Sequence, residues 1–288
     1  MALDSGSSRR QSGGVETAGF TVDTHLFREL GELLVGRDST ALAELVKNSY
    51  DADATRVLVH GERLGDEEGG RIVVSDDGTG MTIAEFRSGF LRVAARTKSE
   101  GERRSKRFGR RFTGEKGIGR LAVHKLSRQI NVRTVPWSPT DGHVRGVIAS
   151  IDWDALEEYA SLDEVGDAVS VHTFRPGAAG SPGTEINLAR LRRPWSDDEL
   201  SRFLAEASSF EPFALLREPL PRSVSTGRLL FAEPRLRDVA NPDPGFMVEF
   251  GGDFEAGGEM WDEMLESVEW IIEIRSTKQH IRYAIAPT

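Results

Sequence analysis

Two stretches near the start of the chain carry apolar residues at helical spacing. Leu26, Phe27, Leu30, Leu33 and Leu34 predict a helix from Phe20 to Gly36, where glycine is a natural stop. The second stretch, ALAELVKNSYDADA, covers residues 41–54: Leu42, Leu45 and Val46 form an apolar stripe, and Glu44, Asn48 and Asp51 fall at i, i+4 and i+7 on one polar face. Asp38, Ser39 and Thr40 just ahead are N-cap candidates, and the turn signal DADAT closes the helix. The pattern then alternates, predicting strands at Arg56–His60 and Ile72–Ser75 on either side of the loop GERLGDEEGG. Further strands are expected at Ile130–Val135, Val144–Ile151, Val169–Phe174 and Thr184–Leu188, with helices over Ile83–Val93, over LAVHKLS and from Ser196 to about Ser208. Pro-rich connectors, EPFALLREPLPRS and NPDPGF, lead to a last pair of strand-like runs, Val268–Arg275 and His280–Ala286.

Composition narrows the class. At 38% hydrophobic and 29% charged residues, the chain of 288 is an ordinary globular protein with ample material for a core. A net charge of −9 argues against a chain-wide nucleic-acid or membrane surface. The absence of cysteine excludes disulfides and thiolate metal sites. No apolar run approaches the roughly 20 residues of a membrane span, and the N-terminus has no apolar signal core, so a cytoplasmic protein is expected. Residues 1–18, rich in Ser, Gly and Arg, read as a disordered arm. The basic exception to the acidic balance is Arg96–Arg111, RTKSEGERRSKRFGRR, which suits either a solvated surface loop or a lid closing over phosphate.

Three short segments carry candidate chemistry. An acid and a carboxamide one turn apart, Glu44 and Asn48, can orient a water and hold a hard cation, although an isolated pair of this kind is commonly a solvated helix face. The run Ser75-Asp76-Asp77-Gly78-Thr79-Gly80-Met81 ends a strand in acids and alternating glycines, a turn whose backbone a flat ligand can approach; a buried carboxylate there would accept from an exocyclic amine. A surface turn reads the same way, while a calcium loop would need a ligand spacing that is missing. Gly114-Glu115-Lys116-Gly117-Ile118-Gly119 opens a helix, where unpaired N–H groups favour phosphate. A basic loop rather than a strand precedes these glycines, and no Gly-Lys-Ser/Thr closes them, so they form neither a dinucleotide fingerprint nor a P-loop.

Taken in order, E-x-x-x-N-x-x-D, D-x-G-x-G-M, G-x-x-G-x-G and the Gly183-Thr184 pair resemble the GHKL ATPase superfamily of gyrase B, the ninety-kilodalton heat-shock chaperones, histidine kinases and MutL, over about Phe20 to Leu188. The resemblance implies an α+β Bergerat fold, a mixed β-sheet with helices on one face, with the ATP-binding domain at 19–190 and residues 191–288 as an extension beginning a transducer domain. It implies that Glu44 is the general base and that Asn48 holds Mg²⁺, with Asp51 supporting the nucleotide. Asp76 would accept from the adenine amino group, with Gly78, Gly80, Met81 and Thr184 beside it. Gly114, Gly117, Ile118 and Gly119 would form the lid hinge and phosphate cradle, with Lys116 and Lys98 offsetting phosphate charge. The implied function is ATP binding and slow hydrolysis coupled to lid closure and homodimerisation. The glutamate at position 44 favours hydrolysis over the phosphotransfer of a histidine or protein kinase, and a non-catalytic nucleotide-sensing module is the other class left open. Protein or DNA partners stay undetermined, and His124 is expected to be structural.

Overall fold

The computed structural model describes residues 23–26, 28–29, 36–92, 104–113, 122–138, 144–161, 164–177, 180–210, 243–255, 267, 269–276 and 279–287. Nine strands are present among them: β1 (Arg56–Glu62), β2 (Arg71–Asp76), β3 (Ser127–Val135), β4 (Gly146–Asp152), β5 (Val169–Phe174), β6 (Gly183–Leu191), β7 (Met247–Gly252), β8 (Trp270–Ser276) and β9 (Ile281–Pro287). The first seven form one sheet in the order β5-β4-β3-β6-β2-β1-β7, while β8 and β9 make a separate hairpin. Every pairing in the large sheet is antiparallel except β1 with β7, so the sheet is mixed, as the expected α+β fold requires.

Register explains how the sheet makes both a core and a site. Reading across all seven strands, Phe250, Val59, Val74, Ile186, Val132, Ala149 and Val171 stand in one row. Ile72, Leu188, Ile130 and Ile151 form a second row on the same face, since side chains two apart point the same way. The next row along, toward the end of β2, changes character: Asp76, Thr184 and Thr134 stand side by side on three adjacent strands. The helix-facing side is therefore apolar except at one end.

The helices complete this pattern. α1 (Asp38–Asp51) buries Leu42, Leu45 and Val46, and Ser49 continues the stripe by one turn. An apolar stripe thus ends in a hydroxyl where the apolar sheet face ends in a carboxylate. α2 (Ile83–Glu85) begins with a capping box between Thr82 and Glu85 and widens into a π-turn at Phe86–Phe90, so the helix expected to reach Val93 is shorter and changes its winding. Phe86 stays fully buried and stacks on Phe90 with ring centroids 4.9 Å apart. α3 (Ala122–Leu126), α4 (Trp153–Glu157) and α5 (Asp197–Ser208) follow.

One expectation about the end of an element changes. The N-cap position of α1 is Arg37, with no side-chain cap; Asp38 lies in the first turn instead, and the Ser39 amide donates to Glu199 Oε2 of α5 at 3.1 Å. The carboxylate that serves this helix start comes from α5, which local sequence could not reveal. Ser196 does cap α5, accepting from the Glu199 amide. The core also continues past residue 190: Phe203, Leu204, Ala207, Phe246, Val248 and Phe254 are buried with the residues of β1 and α1. The proposed helix from Phe20 to Gly36 and the glycine segment 114–119 lie largely or wholly outside the described residues, as does Lys98.

Candidate nucleotide site

Asp76 is the centre of the polar end of the sheet. Its Oδ1 accepts from the Gly78 amide at 2.9 Å and the Thr184 amide at 3.2 Å, and its Oδ2 from Ser49 Oγ at 2.9 Å. Burial pushes its carboxyl up to about 6; the three hydrogen bonds oppose that rise and neighbouring Asp77 adds to it. Asp77 turns the other way, accepting from the Thr55 and Arg56 amides at 2.6 and 2.9 Å, and so fastens the entry of β1. Of the two adjacent acids, only Asp76 meets Ser49 and Thr184.

The glycines of the same turn are fixed by close backbone approach. Gly80 has φ 57°, and a Cβ there would lie 2.0 Å from the Val135 carbonyl oxygen. The adjoining Thr79 amide donates to the Ala52 carbonyl and its own carbonyl accepts from Trp137 N–H, both at 2.7 Å. A Cβ on Gly78 would meet the Ala52 carbonyl at 2.7 Å. The Met81 amide donates to Thr134 Oγ1 at 2.9 Å, which stands 3.0 Å from Thr184 Oγ1. Asp76, Gly78, Gly80, Met81 and Thr184 are therefore brought together as one floor. Ser49 and Thr134 belong to it as well and were not singled out from sequence. Ser49 could have been found as the polar residue that closes the α1 stripe; Thr134 emerges only from the strand register.

α1 joins this floor to the start of the glycine segment. Asn48 is exposed beside Ser49. Asp51 is buried, and its Oδ1 accepts from both the amide and the hydroxyl of Thr113 at 2.8 and 2.9 Å. Thr113 immediately precedes Gly114, so Asp51 anchors the base of that segment. Asp53, at φ 60°, takes the left-handed position after the helix and accepts from the amides of Arg107 and Phe108 at 2.8 and 3.3 Å. Arg110 is buried between these groups and β7. It donates to Asp243 through two nitrogens at 2.8 and 2.7 Å, to the Ala54 carbonyl at 2.5 Å and to the Gly245 carbonyl at 2.8 Å. Part of the basic loop is thus a folded clasp rather than a solvated charge run.

Glu44 is partly exposed and its Oε1 accepts from Lys47 Nζ at 2.8 Å. Among the described residues no group of three or more Asp, Glu, His or Cys could hold a metal ion. The residue that suits a hard cation here is Asn48, one exposed carboxamide, and Mg²⁺ commonly takes one or two protein oxygens with substrate phosphates and water completing its shell. His124 lies away from this chemistry, buried with Trp153 at 5.0 Å between centroids; its Nε2 is 3.1 Å from Glu157 and 3.1 Å from Arg192. Burial, with the Arg192 guanidinium adding to it, holds His124 down to about 4, so it is a neutral structural residue.

Comparison with known proteins agrees with this geometry. Residues 37–169 match the family model described as histidine kinase-, DNA gyrase B- and HSP90-like ATPase. A "putative type II restriction enzyme HgiDII" of Herpetosiphon aurantiacus is 35% identical over 105 residues, which are 36% of this chain and 15% of that protein. The chain therefore spans only a small part of that relative's length. No helix among the described residues is long and apolar enough to cross a membrane. The mixed seven-stranded sheet with α1 on its helix face is the fold that this likeness implies, and residues 37–169 are similar to the histidine kinase-, gyrase B- and HSP90-like ATPases, a family of ATP-binding modules.

Proposed function

We propose that this protein binds ATP with Mg²⁺ between α1 and the polar end of the sheet and hydrolyses it slowly. The observation that carries this reading is the alignment of Asp76, Thr184 and Thr134 on adjacent strands, with Ser49 of α1 donating to the same carboxylate. An ionised carboxylate only accepts hydrogen bonds, so Asp76 selects a ring that offers an exocyclic amine, as adenine does, over one that offers a carbonyl there. Gly78 and Gly80, packed against the Ala52 and Val135 carbonyls, hold the turn beside the flat ring, and Met81 and Thr184 complete its surroundings. Glu44 orients and deprotonates the attacking water, and Asn48 contributes an oxygen to Mg²⁺, which neutralises phosphate charge when bound. Gly114, Gly117, Ile118 and Gly119 cradle the phosphates, with Lys116 and Lys98 supplying charge and Asp51 holding the segment's base through Thr113. Binding closes that segment and favours a homodimer, and hydrolysis reopens it, so the energy drives a conformational cycle in a cytoplasmic protein. The likeness to a putative restriction enzyme makes DNA the first partner to test.

Calorimetric titration with Mg-ATP, followed by phosphate release from wild type and Glu44→Ala, tests the reading. The expected result is unchanged binding with release abolished in Glu44→Ala. Transfer of labelled phosphate to protein would instead favour a kinase, and equal release from both proteins would remove Glu44 from the chemistry.

A further inference from the structure

Lys47 stands between two carboxylates that belong to different helices. Its Nζ is 2.8 Å from Glu44 Oε1 on α1 and 3.7 Å from Glu206 Oε1 on α5, and 5.3 Å from the centroid of the Phe210 ring just beyond α5. The helices lie side by side in the same sense, since Ser39 near the start of α1 meets Glu199 near the start of α5 while Lys47 meets Glu206 near its end. The side chains of Lys47 and Glu44 are only 23% and 28% exposed, so water screens their contact incompletely.

A carboxylate hydrogen-bonded to an ammonium has one acceptor position occupied and its charge compensated, which makes it a poorer acceptor for the proton of a water. The ammonium, however, has a second anionic partner and an aromatic face within a small rotation, so leaving Glu44 does not strand its charge. Position 47 therefore governs whether the carboxylate at position 44 is available. We infer that Lys47 is a positioning residue that restrains Glu44 in the nucleotide-free protein and transfers to Glu206 when Glu44 engages its water. The inference rests on the reading of Glu44 as the base.

Steady-state phosphate release from wild type, Lys47→Met, Lys47→Arg, Glu206→Gln and Glu44→Ala separates the two readings. Lys47→Met is expected to raise kcat by about three- to fivefold, the factor a partly exposed ion pair is worth, with the KM for ATP unchanged. Lys47→Arg, which keeps the cation, stays at or below the wild-type rate. Glu206→Gln lowers kcat, because the ammonium loses its second partner and remains on Glu44. A lowered or unchanged kcat in Lys47→Met, a change confined to KM, or a Glu206→Gln variant indistinguishable from wild type overturns the inference. Failure of the ATPase reading looks different: Glu44→Ala then releases phosphate as fast as wild type, or no variant releases any, and the role of Lys47 falls with it.

Discussion

Asp76→Asn should move stability and ligand affinity in opposite directions. The asparagine carbonyl oxygen can take the place of Oδ1 and keep the amides of Gly78 and Thr184. Its NH₂ then faces Ser49 Oγ, which can accept from it and donate its own proton to the Leu45 carbonyl, 3.3 Å away. No buried partner is orphaned. Meanwhile the cost of holding an ionised carboxylate in this place disappears. A rise from 3.8 to about 6 corresponds to roughly 2–3 kcal/mol of destabilisation of the folded state once the group is ionised, an upper bound because Asp76 is only half-buried by surface area. The sign follows from proton binding: the folded protein holds this proton more tightly than the unfolded chain, so the group weakens stability as pH rises from 3.8 to about 6, and the full cost applies above that window. The variant should therefore be more stable than wild type at pH 7 to 8 by up to about 2–3 kcal/mol, and the gain should vanish near pH 4. ATP binding should weaken about ten- to hundredfold, because a charge-assisted acceptor becomes a donor opposed to the adenine amine. Urea unfolding across pH and calorimetry with Mg-ATP give the two quantities. A variant that binds ATP like wild type, or that loses stability at pH 7, would refute the argument.

Other outcomes follow from the same geometry. His124 binds a proton less readily folded than unfolded, so it makes stability rise with pH between about 4 and 6.5; removing Asp76 should uncover that slope in the urea profiles, and His124→Gln should flatten it. Gly80→Ala combines a left-handed backbone with a Cβ 2.0 Å from the Val135 carbonyl oxygen, and should cost roughly 2–5 kcal/mol by thermal or chemical unfolding. Asp51→Ala leaves two donors of Thr113 without their acceptor and should destabilise by about 1–3 kcal/mol while weakening ATP binding, whereas Asp51→Asn, which keeps one acceptor oxygen, should retain most of both.

What could be read from the sequence was whatever is local. The α1 stripe, the six strands from β1 to β6 and α5 follow from side-chain periodicity, and Asp76, Gly80 and Thr184 from the order of short motifs. Contacts set by register or by distant pairing could not be read. Thr134 looks like any β-branched strand residue until β3 is aligned with β6, and only then does it stand next to Thr184. β7 ends in two glycines and makes its contacts with β1, far away in sequence, so no pattern within MVEFGG marks it as a sheet strand. The start of α1 is not local either, because the group that serves the Ser39 amide is Glu199. Arg110 sits in a run of basic residues and resembles them, yet its burial is decided by Asp243 and Gly245.

The parallel pairing of β1 with β7 has a consequence for how the molecule is made. A ribosome delivers β1 long before β7, and through that interval the edge of β1 and the underside of α5 have no cover. Phe203, Phe250 and Phe254 can assemble only when the late segment arrives, and Arg110 acquires Asp243 at the same moment. Closing so long a loop is entropically slow, and collapsed chains awaiting it expose apolar surface. Tyr50, near the end of the helix that carries Glu44 and Asn48, likewise meets Phe246 only then, edge to face with ring centroids 5.5 Å apart.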